Sequence, residues 1–193
     1  MTIPFSTMLT MDTIPPAFIN RFPQDTPVQC ILAAFLTNGE SSLTAKWDTW
    51  RAIWPEWDEF KDSLPLFWPE YLQPLGDDMP SRGILPPAAC GKWWTLPSLA
   101  REAGYEAIYQ NVLGQQEKRF NNAWDSVQSV FPETNRDAFA YNWSVINSRS
   151  FYYISPGKSA PADWNDALGM VPFADYFNHT EHPVSDLQIY ITG

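Results

Sequence analysis

The residues best suited to chemistry gather near the end of the chain. Both histidines fall in Asn178-His179-Thr180-Glu181-His182, with Asp175 just upstream. Carboxylate and imidazole this close together form a donor set that zinc accepts. The set is incomplete, because His179 and His182 stand three apart immediately before Pro183, and no distant Cys or His cluster adds ligands. No metal is expected. Asp175 and Asn178, also three apart, would share a face of one helical turn. There the aspartate can cap the turn, and the asparagine can satisfy backbone groups or a ligand amide. Arg149 sits upstream at a helix end, before a strand-like run. The bland alternative is a capped turn and a surface arginine.

Other chemistries find less support. There is no Gly-x-Ser-x-Gly nucleophile elbow and no glycine-rich phosphate loop. Asp58-Glu59 and Asp77-Asp78 offer a carboxylate pair for glycoside hydrolysis, but they read more simply as solvated charges. Trp47, Trp50, Trp54 and Trp57 are spaced three, four and three apart, which aligns them on one helical face. That face would be a stacking platform for sugars or bases, or a core stripe. Helical spacing aims rings at a packing partner and favours the core. Pro55 should split the segment into two short helices.

Several elements must position these residues. Residues 1–26 are punctuated by Pro4, Pro15, Pro16 and Pro23 and read as extended or turn segments. A helix from Pro27 to about Leu36 shows Val28, Ile31, Leu32 and Phe35 and ends at Asn38-Gly39. Residues 64–96 are dense in turns, with a loop over 76–87. Apolar residues recur at helical steps from Tyr105 to Val130, predicting a long helix over 102–130 that Phe131-Pro132 ends. Thr134, with Asp137 three residues on, should cap the next helix, whose buried face is Phe139, Trp143 and Ile146. Residues 151–154 and 168–173 then read as strands around a polar loop. Leu187, Ile189 and Ile191 alternate with Gln188, Tyr190 and Thr192, the period of a half-buried strand.

Composition bounds the class. A chain of 193 residues with 45% hydrophobic content can bury a sizeable core. Its net charge of −10 repels phosphate backbones, so nucleic acid is an unsuitable ligand. It suits a basic partner such as a Lys-rich tail, or serves solubility alone. Cys30 and Cys90 lack metal spacing and form no disulfide framework; both read as buried thiols. No apolar run is long enough for a membrane span and no signal peptide opens the chain, so the expected compartment is the cell interior, cytoplasm or nucleus. Asn142-Trp-Ser and Asn178-His-Thr match the glycosylation sequon and are read as chance matches.

Three ordered segments carry a family resemblance. Leu64-Pro-Leu-Phe-Trp68 with Leu72-Gln73, Trp143-Ser-Val-Ile-Asn-Ser-Arg149-Ser-Phe151, and Leu168-x-Met170-Val-Pro-Phe-Ala-Asp175-x-x-Asn178-His179 resemble motifs of the SET-domain methyltransferases of the Rubisco large-subunit methyltransferase class. The resemblance implies an α+β fold: an incomplete SET domain of short strands with a large, mainly helical insert. Residues 1–26 would end the N-terminal SET half, 27–138 would form the insert, and 139–193 would begin the C-terminal half. It implies that S-adenosylmethionine is bound by Arg149, Asn178 and His179, and that a protein substrate meets Arg149 and Asp175. The methyl acceptor would be a lysine amine or, in some members, a histidine. The family's Gly-x-Gly segment and late tyrosine motif have no match here, so no catalytic residue is assigned and weak or absent activity is expected, with apolar SET surface left exposed. The rival reading is a non-catalytic interaction module derived from a SET protein. A third is a Trp-rich carbohydrate-binding protein.

Overall fold

The computed structural model describes residues 2–62, 64–67, 112–176 and 190–192. It divides into two compact units: Met1–Trp54 with Ala123–Gly193, and Pro55–Asn122. Both unit boundaries fall inside the span expected as a helical insert.

The larger unit is built on two helices. Helix α2 (Val28–Asn38) follows a short α1 (Pro16–Ile19). Pro15, expected as extended or turn, is extended at the N-cap, whereas Pro16 departs from that expectation and opens α1 in its first turn, where a missing N–H is no loss. Residues Gln29 to Leu36 of α2 are all buried, so this helix is enclosed on every side rather than on one apolar stripe. Cys30 is fully buried, and burial pushes its thiol up to about 12. The helix stops at Gly39, where a Cβ would lie 2.5 Å from the Phe35 carbonyl oxygen; close approach, not a left-handed turn, requires glycine there.

After α3 (Ser41–Thr44) and a 3-10 turn, Ala45–Trp47, comes α4 (Asp48–Arg51). Trp47, Trp50 and Trp54 are 1, 2 and 6% exposed. Three of the four tryptophans in the stripe are therefore core, and none of these three rings offers a face to a sugar or a base; Trp57 is half-buried in the smaller unit. Two of the three indole N–H groups find acceptors, as buried ones usually do. Trp47 donates to the Thr7 carbonyl at 2.7 Å; Trp54 Nε1 is buried with no acceptor among the described residues.

Helix α7 (Arg136–Arg149) packs against α2 with Phe139, Trp143 and Ile146 buried, as its spacing predicts. Its cap differs from the expected Thr134. Asn135 accepts the Ala138 N–H at 2.9 Å, while the Thr134 hydroxyl is engaged with Asn38 Oδ1 and the Phe131 carbonyl. Asparagine is the stronger cap, and tertiary contact claims the threonine. Asn142 is buried between these helices and donates to Thr37 Oγ1 and the Ala138 carbonyl, each at 3.1 Å.

Two small sheets complete this unit. Strand β2 (Ser150–Tyr152) pairs antiparallel with β3 (Leu168–Met170), with Phe151 opposite Gly169. The strand is offset from the expected 151–154, although Tyr153 N–H still bonds the Ala167 carbonyl at 2.9 Å. Leu9 and Met170 exchange both backbone hydrogen bonds, which attaches the N-terminal segment to β3. Strand β1 (Thr2–Pro4) lies parallel to β4 (Tyr190–Thr192). Ile3, Met8, Val171 and Ala174 form a core beside the sheets, with Phe5, Phe151 and Tyr153 against it.

The smaller unit contains α5 (Trp57–Asp62), a 3-10 turn at Pro65–Phe67, and the opening residues of α6 (Val112–Val130). Phe67 sits edge-on to Trp57 at 5.2 Å and to Phe120 at 5.4 Å. The expected helical residues 102–111, the loop over 76–87 and Cys90 lie outside the described residues. Mixed helices with short strands make the fold α+β. Among the described residues no helix is long and apolar enough to cross a membrane.

Candidate functional site

Arg149 is the last residue of α7. The helix end is closed by hydroxyls: Ser150 Oγ donates to the Ile146 carbonyl at 2.6 Å and Ser148 Oγ to the Ser144 carbonyl at 2.9 Å. β2 begins at the next residue, Ser150, so the β2–β3 register fixes where Arg149 stands relative to the chain leaving β3. That chain turns sharply. Phe173 holds φ of 69° and is half exposed, a left-handed conformation that costs a non-glycine residue about 1 kcal/mol. Ala174 N–H then bonds the Val171 carbonyl at 3.2 Å, and the 3-10 turn Ala174–Tyr176 presents Asp175.

Arg149 Nη1 meets Asp175 Oδ2 at 2.8 Å. The Asp175 side chain is 1% exposed and that of Arg149 23%. Trp50 Nε1 donates to both carboxylate oxygens, at 3.1 and 3.3 Å, and its ring lies edge-on to Trp54 at 4.9 Å. A buried carboxylate needs such donors, because an unpaired charge in the interior costs several kcal/mol. Arg149 is the partly open member. Its remaining N–H groups have no partner among the described residues, so a guanidinium edge stays free for an acceptor.

Of the residues expected at the site, Arg149 and Asp175 are thus brought together. Among the described residues Asp175 accepts from the side chains of Trp50 and Arg149, and Arg149 is paired rather than a lone surface arginine. Asn178, His179 and His182 lie outside the described residues. Comparisons with protein-family models, curated proteins and solved structures found no match to this chain. Among the described residues no group of three His, Cys, Asp or Glu is placed to hold a metal ion.

Two contributors escaped the sequence reading. Its spacing marks Trp50 as core but names no acceptor for the indole N–H, which a buried tryptophan requires. The second is a polar cluster around Asp12. Tyr153 donates to Asp12 Oδ2 at 3.0 Å, and Lys158 Nζ lies 3.3 Å from Asp12 Oδ1. Burial works to raise the Asp12 carboxyl, but hydrogen bonds from Ser155, Tyr153 and Lys158 and the Lys158 charge outweigh it and hold it below the usual value. Burial, helped by Asp12, pushes the Tyr153 hydroxyl up to about 12. Such a phenol stays protonated at neutral pH and serves as a donor, not a base.

Proposed function

We propose that this chain is a partial form of an S-adenosylmethionine-dependent protein N-methyltransferase of the SET class, directed at a lysine amine and weakly active or inactive alone. The supporting observation is the Arg149–Asp175 pair, since the two residues come from separate segments resembling the family and meet at 2.8 Å. S-adenosylmethionine would supply a sulfonium methyl to the acceptor nitrogen. Arg149 suits the cofactor's carboxylate, because one edge of its guanidinium is anchored and the other is free. Asp175, held by Trp50, keeps that guanidinium in one orientation. Asn178 and His179 would complete the cofactor's contacts. The acceptor amine must lose its proton before it attacks, so a water-poor channel that aligns it matters more than a strong base. The acidic surface favours a basic protein substrate.

Calorimetric titration of the purified chain with S-adenosylmethionine tests this, with Arg149→Ala and Asn178→Ala alongside. Saturable binding weakened by both changes is expected. A folded chain that takes up no cofactor would overturn the proposal and leave the interaction module as the better reading.

A further inference from the structure

Apart from Arg149 and Asp175, the larger unit carries a cleft of about 670 Å³ at the start of α2. Its size is in the range that holds ligand groups. Phe22 and Ile31 form a buried apolar floor, Met11 and Val28 are half-buried walls, and Asp25 and Asp166 supply carboxylates. None of these residues belongs to the Arg149–Asp175–Trp50 group.

The charges decide what such a cleft can take. A helix start ordinarily attracts anions through its free N–H groups, but here those groups are occupied. Val28 N–H bonds Asp166 Oδ1 at 2.9 Å, and the N–H groups of Cys30 and Ile31 bond the Pro27 carbonyl. Asp166 therefore already fills the anion position, partly balanced by the helix end. Asp25 has no cationic partner among the described residues, and neither does the second oxygen of Asp166. Arg21, the nearest basic residue in sequence, is stacked over the Phe131 ring at 4.1 Å and does not line the cleft. The result is an apolar trough whose negative charge meets no cationic side chain among the described residues. Its complement is a cation on an apolar stem.

We propose that this cleft binds a lysine side chain of a basic protein segment, with the methylene stem on Phe22 and Ile31 and the ammonium between Asp25 and Asp166. Long basic side chains bury their stems and keep the charged tip in a polar setting, which matches an apolar floor under acidic walls. The acidic chain as a whole would favour the approach of such a segment. The site needs no cofactor, so it stands or falls separately from the methyltransferase reading.

The test follows backbone amide chemical shifts of the full chain during titration with a capped Gly-Leu-Lys-Leu-Gly peptide. Controls replace its lysine by norleucine or glutamate. Saturable shifts at Val28, Ile31 and Asp166 are expected. Binding should weaken about fivefold with norleucine, the effect of one partly solvated ion pair, and vanish with glutamate. Asp25→Asn with Asp166→Asn should weaken the lysine peptide by about fivefold or more; asparagine keeps an oxygen for the Val28 N–H, so the helix cap survives. Equal binding of lysine and norleucine peptides, shifts confined elsewhere, or no binding would each overturn the proposal. Titration of the same sample with S-adenosylmethionine reports separately on the other site.

Discussion

Two carboxylates organise the larger unit in opposite ways. Asp175 is 1% exposed and held by a guanidinium and an indole, whereas Asp12 is 24% exposed and held by a phenol and a lysine that is itself 67% exposed. Both tie distant parts of the chain together. Only the first does so where water cannot substitute for a lost partner. Solvent exposure, more than the number of hydrogen bonds, sets how much each group matters and how rigidly it is held. The buried group has a partly open side, at Arg149, while the Asp12 cluster lies open to solvent at Lys158. Rigidity together with a free donor edge is what makes the first a binding candidate and the second a latch.

That contrast can be broken most directly at Arg149. Replacement by alanine leaves Asp175 buried with the Trp50 donor alone, and a loss of about 3 kcal/mol is expected, at the low end for a broken buried pair because Arg149 is partly exposed. Urea unfolding would measure it, and a loss under 1 kcal/mol would put Asp175 in the same class as Asp12. Trp50→Phe keeps most of the ring and removes the donor, so a loss of about 1–2 kcal/mol is expected by the same method. Lys158→Ala should change stability by less than about 1 kcal/mol, and added salt should shrink the difference.

The pH dependence sharpens the contrast with the smallest effects. The folded-state pKa of Asp12 is depressed, so its contribution is present above the unfolded carboxyl value and is lost as pH falls through the folded one. Asp12→Asn should flatten the acid limb of the stability curve below about pH 4. Tyr153 is the mirror case. Its pKa is raised to about 12 from 10.0, so its contribution is intact below the unfolded value and lost as pH rises towards the folded one. Tyr153→Phe should remove a fall in stability between those values, read from thermal melts on the alkaline side.

Much of the helical framework was legible because periodicity reports burial directly. The face of α7, the end of α2 at Gly39 and the burial of Trp47, Trp50 and Trp54 all follow from spacing and from residues that stop helices. The strands were less legible. Each of the four has only three residues, too short for a period of two to declare itself, and β1 pairs with β4 across almost the whole chain. The cap moved from Thr134 to Asn135 because Asn38, 96 residues away, engages the threonine. At the site, Arg149 and Asp175 were singled out by type and by resemblance, but their contact depends on the β2–β3 register and on the left-handed turn at Phe173. Trp50 and Asp166 were missed for a common reason. Each uses a polar atom on a partner more than a hundred residues distant, which local sequence does not encode.

Asn142 has a further consequence. Its side-chain nitrogen, the atom to which a glycan would be joined, is hydrogen-bonded inside the α2–α7 interface. An oligosaccharyltransferase could reach it only before those helices close, and a sugar fixed there would wedge them apart. In a secretory expression host, glycan occupancy at Asn142 would therefore count the molecules that failed to assemble their central helix pair, and Asn142→Gln would not be a silent repair, since the longer amide must find room in the same packed interior.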